Sequence, residues 1–129
     1  MADDQAQRLN DFGRDRLPGM LGLEILTCTA GRVTGRIPIT PPLIAGTGFI
    51  WAPVVIALAD TLCAYGAGEN LPPGARSFTT VELKTNFLGT AGVASPIRVA
   101  PTPAVPRKFV FSSTVVKLRA PGGRFSPAP

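Results

Sequence analysis

At 129 residues, with 45% hydrophobic residues and a mean hydropathy of +0.24, the chain can bury one core and is too apolar to remain unfolded. Its formal charge of +5 is scattered singly, with only Arg107 and Lys108 adjacent, and one Trp and one Tyr supply no stacking platform, which argues against nucleic-acid binding. The absence of His removes Ser-His-Asp and Cys-His triads, imidazole metal ligands and imidazole pH switches together, leaving carboxylate, Lys, Tyr or Cys for acid–base work.

Residues Asp3 to Leu17 read as a short amphipathic helical arm, with Ala6, Leu9 and Phe12 on one face and Pro18-Gly19 as its stop. Nothing in the opening Met-Ala-Asp-Asp-Gln-Ala-Gln resembles a signal peptide, so a cytoplasmic protein is expected. From Leu23 to Ile39 the pattern becomes β-branched and alternating. Ala30-Gly31 marks a turn between two strands, Val33, Ile37 and Ile39 fall opposite Arg32 and Arg36, and Pro38 places the second strand at an edge or at its end. Pro41-Pro42 opens a loop rich in small residues.

Pro53 fits the first turn of a helix, and Val54 to Tyr65 continues without a breaker until Gly66 and Gly68. Its apolar residues cover every face, so the helix is expected to be buried all round. Asp60, in its middle, is the only charged residue between Arg36 and Glu69. An ionised carboxylate in such surroundings is costly without partners. It is either satisfied by Thr61 or a strand Thr, or used chemically. A membrane crossing is not expected, because Pro53, Gly66 and the central carboxylate interrupt a barely sufficient run. Cys28 and Cys63 read as buried reduced thiols.

Ser77 to Leu88 reads as a long strand, with Thr79, Val81, Leu83, Thr85 and Phe87 on one face and Thr80, Glu82, Lys84 and Asn86 on the other. Glu82 and Lys84 would then form a solvated pair. After Glu82 no acidic residue occurs and Pro recurs. Two strand-like pieces survive there, Pro96–Ala100 and Lys108–Leu118, and Ala120–Pro129 reads as an exposed tail. The whole is expected to be one α+β domain, residues 1–129, with an antiparallel sheet of four or five strands against one buried helix.

Two stretches, Gly48-Phe-Ile-Trp-Ala-Pro followed by Leu58-Ala-Asp60, and Thr80-Val-Glu-Leu-Lys-Thr-Asn-Phe-Leu88, resemble the hotdog-fold thioesterases of the phenylacetate-degradation (PaaI-like) type. The similarity covers roughly Leu17 to Leu88. It implies a curved antiparallel sheet wrapped around one long central helix, homodimers or homotetramers, and hydrolysis of acyl-coenzyme A thioesters with no separate cofactor or metal. Asp60 falls at the catalytic carboxylate, acting as general base or nucleophile. Thr80 falls at a hydroxyl contributed by the partner subunit, which helps to hold the water, and Ala52 at the backbone N–H that polarises the carbonyl. Gly48, Trp51, Lys84 and Asn86 are implied at the substrate, and Arg76, Lys84 or Arg107 would meet the coenzyme A phosphates. Trp51 replaces the family's His, Pro53 its second Gly, and Ala45 a common Asn. Those departures keep a second reading open, a non-catalytic hotdog protein acting as a ligand-binding or homo-oligomeric assembly module.

Overall fold

The computed structural model describes residues 2–87, 97–99 and 111–119, the last two segments and Ala2, Asp3, Val81, Glu82 and Asn86 by their backbone alone. The order is α1 (Ala2–Gly13), α2 (Leu17–Met20), β1 (Glu24–Thr29), β2 (Arg32–Ile37), a 3-10 turn at Pro41–Leu43, α3 (Ala52–Gly68), β3 (Thr79–Phe87), β4 (Ile97–Val99) and β5 (Phe111–Arg119). The expected helix, hairpin, central helix and long strand are all present. Leu88, Pro96, Ala100, Arg107, the start of the last expected strand and the expected tail lie outside the described residues.

The N-terminal helix stops at Gly13 rather than Leu17, and a second short helix runs through Pro18-Gly19, which had read as a stop. Pro18 sits in the first turn of α2, where its missing N–H costs nothing. Gly19 is obligatory there, since a Cβ would come within 2.0 Å of the Arg14 carbonyl oxygen. β2 ends at Ile37, immediately before Pro38, as expected from the missing donor. Helix α3 continues past Gly66 to Gly68, and Gly66 lies against Val33, whose Cγ2 would be 3.3 Å from a Cβ.

Alternation in a sequence identifies strands but not their neighbours, and the single expected sheet is divided in two among the described residues. One sheet has the order β1-β2-β4 and the other pairs β3 with β5, all antiparallel. The core lies between the β1–β2 hairpin, α1 and α3, and contains Ala6, Leu23, Ile25, Cys28, Val33, Ile37, Val54, Val55, Leu58 and Leu62. Gly35 lets the helix settle onto the hairpin, since a Cβ there would meet Leu62 Cδ2 and the Glu24 carbonyl at 2.9 Å. Leu58 is 0% exposed, so Leu58→Ala is expected to lower unfolding stability by about 2–5 kcal/mol in denaturant titration.

The expectation that α3 is buried all round is corrected. Val54, Val55, Leu58, Ala59 and Leu62 are buried against the hairpin, while Ile56, Ala57, Asp60, Thr61, Cys63 and Ala64 are only half-covered. One face of an apolar helix is therefore left partly open, and that face carries the carboxylate.

Candidate active site

Asp60 stands midway along α3 on its half-covered side. The Thr80 hydroxyl donates to Asp60 Oδ1 at 2.9 Å across a sequence separation of 20. No second hydrogen bond to Asp60 is made among the described residues. One carboxylate oxygen is thus held by the strand, and the other has no hydrogen-bond partner among the described residues.

Strict alternation would group Thr80 with the exposed Lys84, facing away from the helix. The β3–β5 register breaks that alternation: Thr80 pairs with Leu118 and Glu82 with Lys117, so two residues of β3 are opposed by one step of β5. Such a bulge turns the chain over by one residue. Thr80 therefore lies on the face of Leu83, which is half-buried, while Lys84 is exposed. The bond to Asp60 is made within one chain, whereas the resemblance implied a partner's strand.

Cys63 is one helical turn beyond Asp60 and is free. Burial, and next the negative charge of Asp60, raise its thiol above the ordinary value of 9.0. This half-covered neighbour had read only as a buried thiol; the three-residue spacing from Asp60 was the available signal. Removing the charge in Asp60→Asn should lower the Cys63 pKa, because the thiolate no longer faces an anion. Alkylation of Cys63 at fixed pH near 8 is therefore expected to accelerate in that variant. Unchanged labelling would contradict the proximity.

Ala52, the first residue of α3, is exposed at the positive end of the helix. Trp51 donates its N–H to the Leu43 carbonyl at 2.9 Å, Pro53 has none, and Val54 donates to the Trp51 carbonyl at 3.1 Å. The Ala52 N–H has no backbone acceptor among the described residues, which leaves it as a donor at the helix end.

The preceding loop is pinned as a small hairpin. Ile44 and Ile50 form a bridge, Ala45 accepts from Gly48 at 2.9 Å and donates to Phe49 at 2.7 Å, and Gly48 takes φ +84°, a region only glycine adopts readily. Phe49 and Trp51, two residues apart on its returning side, are 45% and 51% exposed. Trp51 precedes α3 and lies nine residues from Asp60, roughly 13 Å along the axis. Of the other expected site residues, Lys84 and Arg76 are exposed, and Asn86 is placed by its backbone pairing with Ser112.

No protein-family profile matches the sequence, and no curated protein matches it. Solved structures do. A thioesterase family protein from Silicibacter pomeroyi is 34% identical, with the match covering 74% of this chain and 68% of that one at a TM-score of 0.59. The chain belongs to the thioesterase family. A thioesterase from Pseudomonas aeruginosa and the E. coli PaaI protein of the phenylacetic acid degradation operon share its fold. Each is 15% identical, at TM-scores of 0.68 and 0.64, over 92% and 93% of this chain and 84% and 93% of theirs. The family and the hotdog fold are thus as the sequence implied. Among the described residues of this thioesterase-family chain there is no helix long and apolar enough to cross a membrane, and no group of three or more His, Cys, Asp or Glu that would hold a metal ion.

Proposed function

We propose that the chain hydrolyses acyl-coenzyme A thioesters, with Asp60 as the general base and the Ala52 N–H as the oxyanion donor. The observation that carries this reading is the Thr80–Asp60 hydrogen bond, which holds the one carboxylate of α3 by one of its two oxygens. Asp60 takes a proton from water, the hydroxide adds to the thioester carbonyl, and the developing oxyanion rests on the Ala52 N–H. The tetrahedral species then expels the thiolate, which leaves with a proton as the thiol, and the carboxylic acid remains. Direct attack by Asp60 through a mixed anhydride is the other route. A single turnover in heavy-oxygen water detects it where water opens the anhydride at the Asp60 carbon, since the acid then released carries an Asp60 oxygen and no solvent label.

Helix geometry supports a composite site. Ala52 and Asp60 are eight residues apart in one continuous helix, about 12 Å at 1.5 Å per residue. A donor and a base that serve one carbonyl lie only about 7 Å apart, allowing roughly 3 Å each for the hydrogen bonds and the approach of water. On this reading the two groups of one chain serve different substrates. The half-covered side of α3 is the face against which a second copy would bring its own helix end, so each site joins Asp60 and Thr80 of one chain with Ala52 of the other. Gly48, Phe49 and Trp51 would flank the acyl group beside that donor. Arg76 and Lys84, both exposed, and Arg107 are the candidates for the coenzyme A phosphates.

The reading is tested by following thiol release from a panel of acyl-coenzyme A substrates. Turnover above the uncatalysed rate, dependent on Asp60, supports it. Binding of acyl-coenzyme A without turnover would instead favour the ligand-binding alternative suggested by Trp51, Pro53 and Ala45.

A further inference from the structure

The helix end proposed to hold the oxyanion is short of donors. Trp51 gives its N–H to the Leu43 carbonyl, Pro53 has none and Val54 donates to Trp51, so of these four residues only Ala52 has an N–H without a backbone acceptor among the described residues. An oxyanion accepts more than one hydrogen bond, and sites that stabilise one combine backbone N–H groups with side-chain hydroxyls or amides.

A hydroxyl without a partner lies on β3. Thr85 Oγ1 is shut off from solvent and makes no hydrogen bond among the described residues. Leaving such a group unpaired is costly, so one retained in a folded chain points to a partner supplied from outside it. Two contacts show which way β3 runs along α3. Phe78, just before β3, lies against Gly68 at the carboxyl end of the helix, with its Cε1 3.9 Å from where a Cβ would stand, and Thr80 bonds Asp60 midway along the helix at 2.9 Å. The strand therefore advances towards the amino end of α3. Thr85 is five residues past Thr80, about 16 Å at 3.3 Å per residue less what the bulge takes up, against about 12 Å from Asp60 to Ala52 along the helix. It thus comes level with the first turn.

Thr85 also faces the helix. The second irregularity of the β3–β5 pair sets Lys84 to Asn86, two steps of β3, against Val115 to Ser112, three steps of β5. The extra residue is in β5, so alternation in β3 is kept and Thr85 shares the face of Thr80 and Leu83. The residue as a whole is half-buried, and rotation about χ1 between staggered positions carries its hydroxyl from the shielded side to the open one.

We infer that the Thr85 hydroxyl is the second oxyanion donor, acting beside the Ala52 N–H of its own chain. This rests on the hydrolysis proposed above and completes its carbonyl site: Ala52 and Thr85 of one chain hold the oxygen, while Asp60 and Thr80 of the other activate the water. The hydroxyl keeps its proton throughout. It donates most strongly when charge gathers on the oxygen, so it acts on the transition state more than on the bound substrate.

The test compares Thr85→Val, which matches Thr in shape but lacks the hydroxyl, with Thr85→Ser, which keeps it. Thr85→Val is expected to lower kcat roughly tenfold to a hundredfold with little change in KM, and Thr85→Ser to recover most of that loss. The thermal midpoint of Thr85→Val should be no lower than the parent's, because a buried unpaired hydroxyl has gone. A parent that turns over while Thr85→Val keeps its kcat would overturn the inference and leave the proposed hydrolysis standing. The second measurement needs no turnover. It is the infrared carbonyl stretch of an acyl-coenzyme A analogue with a methylene between sulfur and carbonyl, a ketone that cannot be hydrolysed. Hydrogen bonding lowers the stretch in the parent, and Thr85→Val is expected to raise it part of the way back. An unchanged stretch overturns the inference alone, and failure of the parent to bind the ketone overturns it together with the hydrolysis.

Discussion

Asp60→Asn is expected to reduce acyl-coenzyme A hydrolysis by roughly a hundred- to ten-thousandfold in kcat, with little change in KM. Asn keeps the size of the side chain and an oxygen able to accept the Thr80 hydrogen bond of 2.9 Å, so the helix and its contact with β3 persist. What disappears is the ability to take a proton from water. Circular dichroism and thermal unfolding should therefore match the parent protein while thiol release collapses. Retained turnover would assign the chemistry elsewhere.

Ala52→Pro is expected to lower kcat by roughly a hundred- to a thousandfold, the scale of losing one oxyanion donor. This substitution removes a backbone N–H with little disturbance, because Pro is favoured in the first turn of a helix. The preceding residue already suits it: Trp51 has φ −60° and ψ 131°, within the extended region that a residue before Pro requires. Ala52→Gly keeps the N–H and should retain most activity. Equal losses in both variants would mean that the side chain or the loop, and not the N–H, is responsible.

Much of this arrangement could be read from residue patterns alone. The uninterrupted apolar run after Pro53 predicts α3, and the position of Asp60 within it identifies the carboxylate before any coordinates are considered. The β1–β2 hairpin follows from the alternation around Ala30-Gly31. Two features could not be read in that way. A bulge changes which face Thr80 occupies without altering the composition of the strand, so the alternation that revealed β3 also misplaced its key hydroxyl. Asn10 looks like any polar helix residue until α1 is laid along β1, since its bond to Ile25 spans 15 positions. The half-open side of α3 was hidden for a related reason: an apolar surface reads the same whether its own chain or a second copy covers it.

The composite nature of the site is the central claim, and subunit complementation tests it most directly. Asp60→Asn and Ala52→Pro proteins, each inactive alone, are unfolded together, refolded as a mixture and assayed for thiol release. If Asp60 and Ala52 of different chains form each site, a mixed pair contains one site with both lesions and one intact site. Random pairing then restores about a quarter of the parental activity. If both groups of one chain served the same carbonyl, every site in the mixture would carry a lesion. A mixture as inactive as its components, with mixed pairs shown to form, would contradict the account.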